Sequence, residues 1–423
     1  MIDFGCIAIY FKDEHVKHGA QTSALLPSVK TRLGVTFSGQ VDFNSEGQAE
    51  VSRLNHKFDS IPSSFSSLAF IIIDGTDFNR YPYVRLCASP AKILQGHNVY
   101  GSDNPELCLF ALVEAFVMAL PHLAEYLDFA TATLEYIDIT YSAKVANETV
   151  ALQVLSVLKN VSGGQTKNRT TDDYIKTVYW GKGTGKTGRS SRRKQLKAYS
   201  KERELQHSIK EIQKKIFQAK GDTVLTNCLM RQLASLAQPE VQQMAQGAIR
   251  FESRLFATWL KDNGFSNHLY EFIKQASGPN VLNQLWQKSW QDIFKSFEGA
   301  KLHIHDDNSI HESLKTHFYR ECKDGRKSYT KANRLFDFYN SLKTRGFDTV
   351  YRNTDRATFS RYLADLKTAG LSRAQLQNLT AEISNVIPLV RLINVDFNTQ
   401  HPEGWQEPET LQLQTQRLLK LVS

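Results

Sequence analysis

Polar and apolar positions alternate with a period of two along much of the first 260 residues. Residues 2–11, 67–73 and 83–87 are β-branched or aromatic runs separated by Gly, Ser, Asn and Pro, the punctuation of strands. Residues 105–126 are apolar on most faces, which predicts a helix buried over a sheet. The clearest alternation is LEYIDITYS at 134–142, where Ile137, Ile139 and Tyr141 share one face and Tyr136, Asp138 and Thr140 the other. Residues 148–159 have helical periodicity. Two further strand-like segments, 175–180 and 195–201, are joined by GKGTGKTGRSSRRK, and in 201–220 Leu205, Ile209, Ile212 and Ile216 recur at helical spacing. A second helical stretch ends near Pro239, and 248–260 (AIRFESRLFATWL) alternates again.

Past Gly299 a polar, His-rich segment leads into helical patterns. Residues 357–379 read as two short helices hinged at Gly370, with Ser372 capping the second. That is the outline of a helix-turn-helix, and equally of an αα-hairpin packing its own core. The pattern predicts an α+β chain. A domain over 1–299 is built on a mostly antiparallel sheet with packed helices, and a mainly helical domain over 300–423 follows.

Composition narrows the partner. The 423 residues are 41% apolar and 22% charged, and Lys+Arg outnumber Asp+Glu by 52 to 43, a net charge of +9. A polyanion therefore suits the chain better than a neutral small molecule. The apolar run 107–120 contains Glu114 and stops at Pro121, short of a membrane span. The N-terminus has Asp3 and no basic segment before its apolar stretch, unlike a signal peptide. Five widely spaced cysteines, Cys6, Cys87, Cys108, Cys228 and Cys322, imply neither a disulfide framework nor a zinc ribbon, and a reducing cytoplasm fits them.

Two motifs are deceptive. GTGKTG at 183–188 satisfies GxGxxG, yet a dinucleotide or phosphate site needs a helix starting there, and residues 192–201 continue as a strand. His303 and His305, with Asp306, Asp307, His311 and His317 after them, have the spacing of a metal cluster and equally that of a solvated linker.

The chemistry concentrates elsewhere. Between Gly181 and Lys197 lie seven basic residues, Lys182, Lys186, Arg189, Arg192, Arg193, Lys194 and Lys197, and no acid, a composition that neutralises phosphates. Tyr199 shares a strand face with Lys197 and Lys201, and nearby cations favour the phenolate that a nucleophilic tyrosine needs. Asp138 and Glu252 lie on the polar faces of two strands, Glu252 between Arg250 and Arg254. They can converge on one hard cation that polarises a scissile phosphate, or each can pair with a neighbouring arginine. Arg250 and Arg254 are further candidates for DNA contact, and in the helical region Arg373 and Gln375, at the start of the second short helix, are the candidates for reading bases.

Residues 88–101 (ASPAKILQGHNVYG), 160–167 (NVSGGQTK), 198–201 (AYSK), 204–207 (ELQH), 249–254 (IRFESR), 294–299 (FKSFEG) and 385–402 (NVIPLVRLINVDFNTQHP) resemble, in order and spacing, the gene II replication proteins of filamentous bacteriophages. More distantly, the pattern is similar to plasmid rolling-circle initiators and relaxases. The resemblance implies an endonuclease that nicks the viral strand of supercoiled replicative-form DNA at the origin, leaves a 3′-OH as primer and later circularises the displaced single strand. It implies Mg²⁺, with Mn²⁺ as a substitute, and a host replicative helicase and DNA polymerase as partners in the host bacterial cytoplasm, with self-association on the origin. It also ranks residues: the family keeps Asp138, Tyr199, Glu204, Glu252 and the Gly96–His97–Asn98 triplet, so His97 and Glu204 join the metal candidates. Tyr179 and the His303/His305 pair are not family positions, and Tyr179 stands as second nucleophile because the plasmid initiators place their tyrosine in a similar strand. The alternative is a non-catalytic origin-binding or copy-number regulator, which needs the basic loop and the helix-turn-helix but not Tyr199, Asp138 or Glu252.

Overall fold

The computed structural model describes residues 1–411 apart from 20–21, 34–37, 44–47, 55–56, 59–64, 77–80, 164–176, 182–189, 220–222, 298–305, 324 and 380–394. Among the described residues the alternating segments join into one sheet of nine strands: β1 (Ile2–Phe11), β2 (Ser38–Phe43), β3 (Ala49–Arg53), β4 (Leu68–Ile73), β5 (Tyr83–Ala88), β6 (Leu127–Lys144), β7 (Thr177–Trp180), β8 (Lys194–Ser200) and β9 (Ala248–Phe256). Their order is β3-β2-β4-β5-β1-β6-β9-β8-β7, and each neighbouring pair is antiparallel.

One face of this sheet is apolar and covered. Helix α1 (Pro105–Ala119) lies over β1 and β5, and α2 (Glu148–Lys159) and α5 (Val281–Phe294) lie over β6 to β9. Ile137, Ile139, Phe251, Leu255, Leu196, Ala198 and Trp180 all point into this layer and are buried. Trp286, Trp290 and Phe251 interlock there edge to face, Trp290 and Phe251 with ring centroids 5.1 Å apart. The helix expected over 105–126 stops at Ala119 because Pro121 lacks the N–H needed to continue it. Strand β6 then starts at Leu127, earlier than its alternation suggested. The hairpin β2–β3 escaped the sequence pattern because it is short, polar and only partly buried.

The opposite face of β6, β9, β8 and β7 is polar and open. Beside it α3 (Lys201–Gln218), capped by Ser200, packs against α4 (Thr223–Leu236). No helix among the described residues is long and apolar enough to cross a membrane.

The helices α6 (Asp307–His317), α7 (Thr330–Arg345), α8 (Arg356–Thr368) and α9 (Arg373–Gln377) close around a separate cluster that includes Ile310, Leu335, Tyr339, Phe359 and Leu366. The hinge and cap expected there are present: Gly370 has φ +100°, and Ser372 forms a capping box with Gln375. The chain then returns to the sheet. Phe397 packs its ring on Tyr141 and Trp286, and Gln400 accepts from the Ser142 N–H at 2.8 Å and donates to the Ser142 carbonyl at 3.0 Å. Leu411 is buried in the main core. The segment 395–411 is therefore a strap on the first domain rather than part of the helical one.

One pairing departs from the cysteine reading. Cys6 on β1 and Cys87 on β5 stand directly opposite each other and form a disulfide. Eighty-one positions separate them in sequence, and only the strand order brings them together.

Candidate active site

The polar face of the sheet forms the floor of a cleft of about 790 Å³ lined by Asp3, Asn98, Asp138, Tyr179, Lys197, Glu252 and Arg254 among others. Register explains the assembly. Tyr179, Lys197, Glu252 and Thr140 are successive partners across β7, β8, β9 and β6, so their side chains emerge in one row on one face. Arg254 and Asp138 are the next pair along β9 and β6.

Asp3 reaches the cleft by another route. Ile2 pairs with Ile139 and Phe4 with Asp138, so β1 advances two residues while β6 advances one. This β-bulge turns Asp3 to the same side as Phe4. Strict alternation cannot predict such a residue, although a carboxylate in an otherwise apolar first strand was a visible signal.

Two of the three carboxylates have a counter-charge, and the third has an amide partner. Asp138, 1% exposed, accepts two bonds from Arg254, 2.8 Å from Nε and 2.7 Å from Nη2. Burial outweighs that pairing and lifts the Asp138 carboxyl to about 6. Glu252 pairs with Lys197 Nζ at 3.1 Å. Burial opposes the charge on Lys197, but Glu252 more than restores it and holds the ammonium above its ordinary value. Asp3 accepts from Asn98 Nδ2 at 2.7 Å. The arginine pairing weighed for these carboxylates is thus realised at Asp138.

Tyr199 sits beside this row with the Lys197 ammonium 4.2 Å from its ring centroid. It is 4% exposed, and the expectation of a cation-lowered phenol is reversed: burial raises it well above its usual value, and Glu252, Asp3 and Glu204 push the same way. Tyr199 therefore lies in the field of the site carboxylates. Tyr179 borders the cleft directly and is half-buried.

Several expected site residues lie outside the cleft. Lys201, 1% exposed, donates to Asn98 Oδ1 at 2.9 Å and Glu204 at 2.5 Å, and burial lowers its pKa to about 8. It holds Asn98, which holds Asp3, and so positions the site rather than entering it. Burial works against Glu204, yet Lys201 draws it down to about 2. His97 is buried next to Tyr100, and burial lowers it to about 4, leaving it neutral. Arg250, expected at DNA, is turned inward and donates to the Asn98 and Val99 carbonyls. Among the described residues no group of three or more His, Cys, Asp or Glu is gathered to hold a metal ion.

The basic loop is also divided. Lys182, Lys186, Arg189, His303 and His305 lie outside the described residues. Lys194 is tied to the Ser289 carbonyl at 2.7 Å and to Asp292 at 3.3 Å, so its expected role at phosphate gives way to a structural one. Arg193 pairs with Asp262 at the surface, and Arg192 is exposed. Of the triplet, only the two arginines are available to phosphate. Replacing both by Ala is expected to flatten the log–log salt dependence of duplex binding by up to about 1.8, against no change for Lys194→Ala; salt titrations of the three proteins measure this.

Arg373 and Gln375 are engaged internally as well. Gln375 accepts from the Ser372 N–H at 2.8 Å within the cap, and the Arg373 guanidinium lies 6.0 Å from the Phe347 ring centroid. Helix α9 faces the first domain, where Asn378 accepts from Asn160 at 2.8 Å. A recognition helix open to a groove is not what this segment provides.

The cleft on the antiparallel sheet is thus lined by carboxylates and cations, with Tyr179 on its wall and Tyr199 buried beside it. The chain belongs to the gene II family of replication-associated proteins of filamentous phages: the family's N-terminal region matches residues 1–278 and its C-terminal region residues 322–411. The replication-associated protein of Salmonella phage IKe is 38% identical over 423 residues, 97% of either chain. Those of Enterobacteria phages fd and f1 are 37% identical over 389 residues, 90% of this chain and 92% of theirs. No solved structure matches the chain.

Proposed function

We propose that this replication initiator nicks one strand of the phage origin in supercoiled duplex DNA and later rejoins the displaced single strand through a phosphotyrosine. The observation that carries the reading is the convergence of Asp3, Asp138 and Glu252 on one cleft with Tyr199 beside them. An origin-binding regulator has no use for three acids in a site meant for a polyanion, since each repels phosphate.

In the nicking step the Tyr199 oxygen forms a bond to phosphorus and the O3′ leaves as a 3′-hydroxyl. The Tyr199 proton passes to solvent water, and the leaving O3′ is protonated from water, so the step is balanced. The 5′-phosphate stays on tyrosine, so the later attack of a 3′-hydroxyl reseals the strand without ATP. The free 3′-OH is the primer for a host polymerase, with a host helicase opening the duplex and further copies of the protein gathering on the origin. Asp138 and Glu252 line the cleft with carboxylate oxygens, the donor class that Mg²⁺ or Mn²⁺ takes, and would hold such a cation as a pair once Lys197 and Arg254 give way. Such a cation would polarise the phosphate and offset the carboxylate field that adds to burial in keeping Tyr199 protonated. Tyr179 is the second reading for the nucleophile, favoured by its position on the cleft wall.

Incubation with supercoiled origin plasmid and Mg²⁺ tests the reading: nicked circles support it, and a retarded but still supercoiled plasmid favours the regulator. The pH profile is a further expectation. Because burial raises the Asp138 carboxyl to about 6, protons compete with the cation there, and the Mg²⁺ concentration needed for half-maximal nicking should rise as pH falls below about 6. A Mg²⁺ requirement that does not change from pH 5 to 8 contradicts a role for ionised Asp138.

A further inference from the structure

The cleft extends past Arg254 into a region that the nicking chemistry does not use. Phe4, Tyr136, Phe256 and Phe58 line it together with Arg85. These rings lie on the open face of the sheet, outside the main apolar core, and all are half-buried. Phe4 and Tyr136 are parallel within 6°, with centroids 6.3 Å apart, and Phe256 adjoins Tyr136 at 5.6 Å. The Arg254 guanidinium lies over the Tyr136 ring at 4.2 Å and 5.8 Å from that of Phe4.

We propose that this aromatic wall is a stacking subsite for unpaired bases of single-stranded DNA next to the scissile phosphate. The inference rests on the nicking reading for its substrate, and its chemistry comes from the wall itself. Both arginines are already neutralised: Arg254 bonds both oxygens of Asp138, and Arg85 pairs with Glu135 at 2.9 Å and donates to Tyr83 Oη at 3.2 Å. In the metal-free protein what remains is an electrically balanced surface of flat faces, the Arg254 plane lying on the Tyr136 ring among them, which suits neutral bases better than phosphates. Every base has such a face, so stacking holds single strands with little regard to sequence. A base inside a duplex has both faces covered by its neighbours, so only an unpaired strand can use the wall. Stacking on the wall therefore offsets part of the cost of melting the nick site.

The test uses the full chain without Mg²⁺, fluorescence anisotropy, and a labelled, unstructured oligonucleotide of origin sequence, with its duplex as control. Tyr136→Leu and, independently, Phe256→Leu are expected to weaken single-strand binding about tenfold or more and duplex binding less than twofold. A scan of abasic sites in the oligonucleotide should find positions where base removal weakens the unaltered protein but not Tyr136→Leu. Unchanged single-strand affinity in both variants, or an equal loss on duplex, overturns the proposal. The nicking reading fails separately: a chain that leaves supercoiled plasmid intact yet keeps the abasic coupling has the subsite and lacks the activity.

Discussion

Phenylalanine at Tyr199 is expected to lower nicking of supercoiled origin DNA by about four orders of magnitude or more while leaving DNA affinity and thermal stability close to those of the unaltered protein. The ring keeps its contact with Lys197 and its packing, and only the attacking oxygen is removed. Tyr179→Phe should cost less than tenfold, since it alters the wall of the cleft and not the bond-forming atom. Gel assays of plasmid nicking at matched protein occupancy measure both. The reverse order of effects moves the nucleophile to Tyr179.

The second large effect is at the carboxylates, and the two positions should behave differently. Glu252→Gln is expected to lower nicking about a thousandfold with small loss of stability, because the amide oxygen can still accept the single bond from Lys197. Asp138→Asn should be equally inactive but also less stable, by about 2 kcal/mol, since the Asp138 side chain is 2% exposed and the amide turns an N–H toward one arm of the bidentate Arg254 guanidinium. The double variant Asp138→Asn with Arg254→Gln should recover stability without activity. Thermal melts beside nicking rates separate the two losses. Wild-type nicking by Glu252→Gln at ordinary Mg²⁺ would remove that residue from the site.

Much of this site was legible in the sequence because strand alternation assigns faces. The faces of Asp138, Lys197, Tyr199 and Glu252 follow from counting by two, and antiparallel pairing then sets them side by side. Counting failed where the backbone leaves its period. A bulge delivers Asp3, and the strap, which brings Gln400 to Ser142, has no periodicity to betray it. It failed again where a charged side chain has a partner distant in sequence. Lys194, Arg250 and Arg373 all read as free cations, yet Asp292, the Asn98 carbonyl and the Phe347 ring receive them. Gln375 was assigned to bases although its spacing from Ser372 is that of a capping box, a local signal present all along.

The proposed reaction turns on a covalent bond between tyrosine and the 5′ end of the cut strand, and trapping that bond is its most direct test. A 5′-nicked product formed in Mg²⁺, quenched in denaturant and digested with protease, should leave one peptide on DNA, its mass placing the phosphate on Tyr199. A free 5′-phosphate, with no peptide attached at any time in the reaction, contradicts the account.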